Sequence, residues 1–266
     1  MILTINQNTV ILNPITKEGK ALINSSNSPI MGTNRKGLID LWNAFMLENA
    51  SFSQNDIPLC PSTAKALPNK LVSFDDAKTI HRKELRSGNN SYRVDAFIHF
   101  FIDDQKFDGK QNSIWLYPEK ALDIICHFAG IIAPDFSTYA DFPEPLKMWN
   151  FFRMNTFGYW IGVLGIPVIS NLRWGTEETW RYCFDGNPRN SILAIGTVAS
   201  GARLLKNRPL FEKGLFKSVE VLHPHTIIVY DSAAFDCFDI LREQGIKIVS
   251  FPSKTSEAFA GRKSNE

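Results

Sequence analysis

After residue 94 the chain repeats one pattern: a short apolar segment that ends in polar residues, then a stretch of helical character. The segments read DAFIHFFIDD (95–104), GIIAPDFS (130–137), VISNLRW (168–174), SILAIGTVAS (191–200), TIIVYDS (226–232) and IKIVSFPS (246–253). Apolar residues run almost unbroken within each, as in strands covered on both faces. Alternation of such strands with helices predicts a mainly parallel sheet. The expected strands are 95–102, 130–134, 167–173, 191–198, 226–230 and 246–251. They belong to an α/β fold of about six strands flanked by helices, as an open sheet or a partial barrel.

Punctuation residues place the helices. Pro118 opens one through 119–128, with Gly130 at its exit. A longer one spans 143–164 and stops at Gly165 and Pro167. A shorter one covers Thr176 to Cys183, and Pro209 opens another through Leu222. Ser232 is expected to cap a fifth, with Gly245 just past its end.

Residues 1–93 differ, being rich in Asn, Ser, Pro and Lys with weak periodicity. They read as an irregular N-terminal extension packed on a core domain of residues 94–266. Within the extension, LTINQNTVIL reads as a small hairpin turning at Asn6-Gln7-Asn8. GLIDLWNAFMLEN (37–49) reads as a short amphipathic helix with Leu38, Leu41, Trp42 and Phe45 on one face. LVSF (71–74) is a candidate further strand, and HRKELRSGNN reads as a solvated turn.

Composition narrows the classes. The chain has 266 residues, 44% hydrophobic and 21% charged, ordinary globular usage. A net charge of +2 gives no strong basic field, though a local patch could still hold nucleic acid. The four cysteines show no metal-ligand spacing, and Cys126 and Cys237 fall on apolar helical stripes where buried, reduced thiols are expected. No apolar run reaches the ~18 residues of a membrane span, and the N-terminus lacks signal-peptide features. A cytoplasmic location is the default expectation.

Ligands of parallel sheets bind outside the carboxyl ends of the strands. Here those ends carry Asp103, Asp104, Asp135, Asn171, Arg173, Thr197 and Asp231. A right-handed crossover brings consecutive strand tips together, so Asp103 or Asp104 is expected to approach Asp135. Neighbouring carboxylates can bind a hard divalent cation such as magnesium, or share a proton for acid/base work. They can equally be helix caps. Arg173, at the tip of VISNLRW, suits a phosphate, or pairs with Glu177 or Glu178. Gly196-Thr197 and Ser200-Gly201 offer backbone donors to an anion. His99, inside a strand, reads as a satisfied core histidine, and Asp185 as a turn residue. In the long helix, Asn150 and Arg153 interrupt the stripe Leu146, Trp149, Phe157, Trp160, Ile161, Leu164. They are expected to project into the site, with Arg153 paired to Asp135; the alternative is that Arg153 snorkels to water.

HFFIDDQKF, then Trp115 and Pro118, PDFSTYADFP, Asn150 with Arg153, VISNLRW, CFDG and VYDS stand in an order that resembles domain-of-unknown-function family 4417. The resemblance covers roughly residues 94–232. It implies a phage, plasmid or other mobile-element setting in a bacterial host, and transfers no catalytic residue. In that family the fifth strand usually ends in Tyr-Gly, where this chain has Tyr230-Asp231, and the T-x-G after the FDG turn is here GTVASG. An aspartate at 231 would hinder an anion that a glycine admits.

Two functional readings follow. In the first the protein is an enzyme that hydrolyses a phosphoester or glycosidic bond of a nucleotide-like or other phosphorylated substrate. Asp103, Asp135 and Asn171 would be catalytic, with Arg153, Arg173, Asn150, Thr197 and Asp231 binding substrate and Asp103, Asp104 and Asp135 holding a metal. In the second it is a non-enzymatic binder of nucleic acid or a host protein, using the aromatic-rich long helix and the first 93 residues. Its role would lie in replication, maintenance or counter-defence.

Overall fold

The computed structural model describes residues 3–6, 9–12, 40–198, 200 and 202–256. Leu3–Asn6 (β1) and Thr9–Leu12 (β2) pair antiparallel, from Leu3 opposite Leu12 to Asn6 opposite Thr9. The expected turn residues Gln7 and Asn8 lie outside the described residues.

The main sheet starts at Leu71–Ser73 (β3) and runs through Val94–His99 (β4), Phe128–Ile132 (β5), Val168–Asn171 (β6), Ile192–Gly196 (β7), Thr226–Tyr230 (β8) and Lys247–Phe251 (β9). All seven are parallel, and their spatial order is their chain order. Right-handed crossovers in one constant direction put every helix on the same face. The twisted sheet therefore curls into a half-barrel with helices outside, one of the two architectures expected. Leu71, Val72 and Ser73 of LVSF supply its first strand, so the segment before residue 94 contributes to the sheet.

The helices are Phe74–Arg86 (α1), Pro118–Ile125 (α2), Glu144–Val163 (α3), Arg208–Leu222 (α4) and Asp236–Glu243 (α5). The outward residues of the strands pack with them in one large core that includes Ile98, Ile131, Val168, Leu193 and Val229. The concave face holds a separate core of Phe97, Phe101, Ile132, Ile169, Ile192, Ala194, Ile228 and Tyr230, joined by Ala64 and Leu67 from the loop before β3.

Five local expectations are corrected. The helix expected from Thr176 to Cys183 is a 3-10 turn at Glu177–Arg181. HRKELRSGNN is solvated but only its last four residues form the turn, because HRKELR is the second half of α1. Ser73 caps that helix, accepting from the Asp76 amide at 3.2 Å and donating to its carboxylate at 2.6 Å. The helix expected over 37–49 is, among the described residues, a 3-10 turn at Ala44–Leu47. Its surroundings are tertiary: Trp42 stacks on Phe152, and Phe45 meets Trp160 edge-on. Gly130 does not end a helix but lies inside β5, opposite Phe97. Ser232 does not cap α5; Phe235 occupies that position, while Gly245 takes φ +87 past the helix end, as expected.

Candidate functional site

A cleft of about 390 Å³ opens at the carboxyl edge, between the loops after β5, β6 and β7 and the start of α4. The loop after β5 carries Asp135 and Thr138, the end of β6 carries Arg173 and Trp174, and the loop after β7 carries Ser200 and Arg203. Trp174 approaches α4 at Gly214, where a Cβ would lie 2.3 Å from the indole. Any side chain at Gly214 would displace this indole, which lines the cleft.

Asp135 is the centre of the site. Its carboxylate accepts from the Asn171 amide at 2.7 Å and from Arg173 Nη1 at 3.1 Å. Arg173 Nε donates to Thr138 Oγ1 at 3.2 Å, and its Nη2 has no protein partner among the described residues. Arg173 thus pairs with Asp135 rather than with Glu177, which meets Lys213, or Glu178. Burial pushes the Asp135 carboxyl above its ordinary value. Arg173 and the Asn171 amide act against that push, and the charge of Asp104 adds to it. Asn171 is buried, and its Oδ1 has no hydrogen-bond partner among the described residues.

The remaining expected residues divide. Asp104, not Asp103, reaches the neighbourhood of Asp135: it accepts from the amide and hydroxyl of Ser137 at 3.1 and 2.9 Å. Asp103 is exposed ahead of the 3-10 turn Asp104–Lys106, and its side chain has no partner among the described residues. No group of three His, Cys, Asp or Glu side chains that could hold a metal occurs among the described residues. The metal expected at Asp103, Asp104 and Asp135 therefore has no assembled donor set. Thr197 is buried and donates to the carbonyls of Tyr230 and Ser232, a role inside the fold. Gly201, expected to donate to an anion, lies outside the described residues.

Arg153 is buried as expected, but its partner is Asp108 at 2.7 Å, not Asp135. Its Nη2 donates to Asn150 Oδ1 at 2.7 Å, and Asn150 donates to the Ser137 carbonyl at 2.5 Å. The guanidinium lies over the Phe136 ring at 3.9 Å. Asn150 and Arg153 therefore brace the loops after β4 and β5 from behind and do not line the cleft. Of the aromatics of α3, Phe151, Phe157 and Trp160 are core residues, while Trp149, Phe152 and Tyr159 are partly exposed.

Asp231 is buried with φ +88, a backbone state that favours glycine. Its carboxylate is enclosed by the hydroxyls of Ser253 and Ser256 at 2.6 and 2.7 Å and by Arg203. Burial raises its pKa, but Ser253, Ser256, the Ser232 amide and Arg203 outweigh that, and the net shift is downward. With Arg203 in front of it, its charge does not stand bare toward an anion. Arg203 is half exposed and lines the cleft. Sequence reading missed it and Asp108. A basic residue in a loop after an apolar strand was the signal for Arg203. For Asp108, the signal was the third acid of the DDQKFDG loop.

His99 is buried, accepts from the Phe101 amide through Nδ1 at 3.2 Å, and packs on Tyr230 with ring centroids 4.0 Å apart. It is a core histidine, as expected. All four cysteines are free and buried, and burial pushes the thiols of Cys126 and Cys237 up to about 11. Asp185 lies in a turn, and its carboxylate accepts from the distant Asn55 at 2.7 Å. No helix among the described residues is long and apolar enough to cross a membrane.

Comparison with known proteins gives one family. The model described as "Domain of unknown function (DUF4417)" matches residues 50–252. The chain is similar to the Gene 1 protein of Mycobacterium phage L5, 33% identical over 134 residues, which are 50% of this chain and 56% of that protein. It is 31% identical over 134 residues to the Gene 1 protein of Mycobacterium phage D29, covering 50% of this chain and 47% of that one. The chain thus spans about half the length of these curated relatives. No solved structure matches.

Proposed function

The chain belongs to the DUF4417 family, and we propose that it acts in a phage or mobile-element setting as a hydrolase of a small phosphorylated molecule. The observation that carries this is the meeting of Asp135, Arg173 and Arg203 in one cleft at the carboxyl edge of a parallel sheet. Both arginines have donors to spare. Arg173 spends Nη1 and Nε on the protein and keeps Nη2, while Arg203 spends only Nη2. Such half-satisfied guanidiniums suit the oxygens of a phosphate. The start of α4, which also lines the cleft, has no side-chain cap and no acid in its first turn, so its positive end adds to the same field.

Asp135 supplies the chemistry. Its burial favours the protonated form, and Asn171 and Arg173 hold the carboxyl in place. It is the acid/base group of the reaction: as water adds to phosphorus and the bond to the leaving oxygen breaks, it gives its proton to that oxygen, and the proton released by the water restores it. Asn171 orients Asp135. Asp103 has no part in this arrangement.

The test is release of inorganic phosphate from a panel of phosphomonoesters by the whole protein and by Asp135→Asn and Arg173→Met. Asp135→Asn is expected to lower turnover by about 100-fold or more with binding retained. Arg173→Met is expected to weaken binding. Phosphate binding without any turnover would leave a binder, not an enzyme. Full turnover by Asp135→Asn would remove Asp135 from the mechanism.

A further inference from the structure

The cleft has walls of two kinds, and a phosphate uses only one of them. Arg173 and Arg203 supply charge. The rim is apolar and open: Tyr139, Val198 and Leu204 line the same cleft and are 50%, 45% and 54% exposed. Tyr139 meets Phe142 in a T-shaped contact, with centroids 5.3 Å apart. That contact leaves half of the side chain in water. Apolar side chains that line a charged cleft and stay open to water suit a ligand with an apolar face as well as a charge. Asn207 stands on the same wall, with no side-chain hydrogen bond among the described residues. It offers one donor pair and one acceptor.

A ligand that uses both walls carries an anion at one end and a flat, weakly polar ring with hydrogen-bonding edges at the other. Size narrows it further. About 390 Å³ is near the lower limit of ligand pockets, which run from roughly 300 to 1,000 Å³. It suits one nucleotide and is small for a dinucleotide.

We infer that the cleft binds a nucleoside monophosphate. The phosphate lies on Arg173 and Arg203, the base lies against Tyr139 and Leu204, and Asn207 meets the base edge. This rests on the anion-binding reading of the site and names its ligand.

The experiment is calorimetric titration of the whole chain with AMP, GMP, CMP, UMP, ribose 5-phosphate, inorganic phosphate and a short single-stranded oligonucleotide. At least one nucleoside monophosphate is expected to bind about tenfold or more tightly than ribose 5-phosphate, the contribution of one stacked base. Tyr139→Ala should remove that advantage and leave ribose 5-phosphate affinity unchanged. Arg173→Met should weaken both. Tyr139 is half exposed, so its variant is expected to melt as the parent does, and melting is measured alongside. If every nucleotide binds only as well as ribose 5-phosphate, or Tyr139→Ala keeps the advantage, the base site is wrong while the anion site stands. If no phosphate binds and Arg173→Met changes nothing, both fail. Tighter binding of the oligonucleotide than of any monophosphate would overturn the choice of a free nucleotide.

Discussion

A buried charge is held by whatever the fold brings to it, and Arg153 shows how little of that is visible locally. Two polar residues inside an apolar stripe mark a guanidinium that must be met by an acid. The stripe does not say which acid. Asp108 lies 45 residues away, in a loop whose run of charges reads as solvent-exposed, yet it meets Arg153 at 2.7 Å with little of either side chain exposed. Removing one member is expected to destabilise the protein by about 3 kcal/mol, at the lower limit for buried pairs. In a double-mutant cycle measured by chemical unfolding, Arg153→Met and Asp108→Asn should couple strongly. Arg153→Met and Asp135→Asn should be additive to within about 0.5 kcal/mol. Strong coupling of Arg153 to Asp135 would return the pair to the first expectation. At Asp135 the strand-tip position is legible, since consecutive tips of a parallel sheet must converge. The choice of Asp104 over Asp103 is not, because one residue of loop decides which carboxylate meets Ser137.

At the scale of elements, long apolar runs are read well and short amphipathic ones poorly. All six strands expected after residue 94 are strands of one parallel sheet, because unbroken apolar runs between helices have few other uses. The helix α1 is hidden by its composition. Only Phe74 and Ala77 are buried in it, so its stripe is thin, and its cap carries the signal instead. Ser73→Ala is expected to cost about 1 kcal/mol in thermal or chemical unfolding, and a change near zero would mean the cap is incidental. Gly130 shows the opposite failure, a glycine read as punctuation when its use is space. A Cβ there would lie 2.5 Å from the Phe97 ring and 2.6 Å from the Pro167 carbonyl oxygen. Backbone cannot step aside as a ring can, so Gly130→Ala is expected to lose about 2 kcal/mol, within the range for overpacking. An unchanged unfolding midpoint would show that β5 can shift in the sheet.

On the scale of the whole molecule, the half-barrel is held together at its open side by groups that titrate. Lys254, after β9, meets Asp76, at the start of α1, at 2.5 Å, linking the last strand exit to the first helix. This pair is largely exposed and contributes little. Behind it, His99 from β4 packs on Tyr230 from β8 across the concave face. Burial, the largest influence, drives its pKa from 6.5 to about 3; Asp76 pulls it up and Lys254 pushes it down. Below pH 6.5 the unfolded chain therefore takes up a proton that the folded chain refuses, and stability falls with pH until about 3. The slope approaches about 1.4 kcal/mol per pH unit. Between pH 6.5 and 4.5 this histidine alone should remove roughly 2 kcal/mol. His81 and His127, whose pKa values are also lowered by burial, add to the loss in the same window, moderated by their exposure. Asp135 works the other way, since its raised pKa favours the folded state as pH falls. Asp76 and Asp231, held below 3.8 chiefly by hydroxyl and cationic partners that overcome burial, lose their contribution only at lower pH. Denaturant unfolding of the parent and His99→Phe at pH 6.5 and 4.5 separates these effects. The parent should lose roughly 2 kcal/mol more than the variant over that interval, whatever their stabilities at neutral pH. Equal losses would mean that His99 takes up its proton in the folded state, and that the contact joining β4 to β8 opens in acid without unfolding the half-barrel.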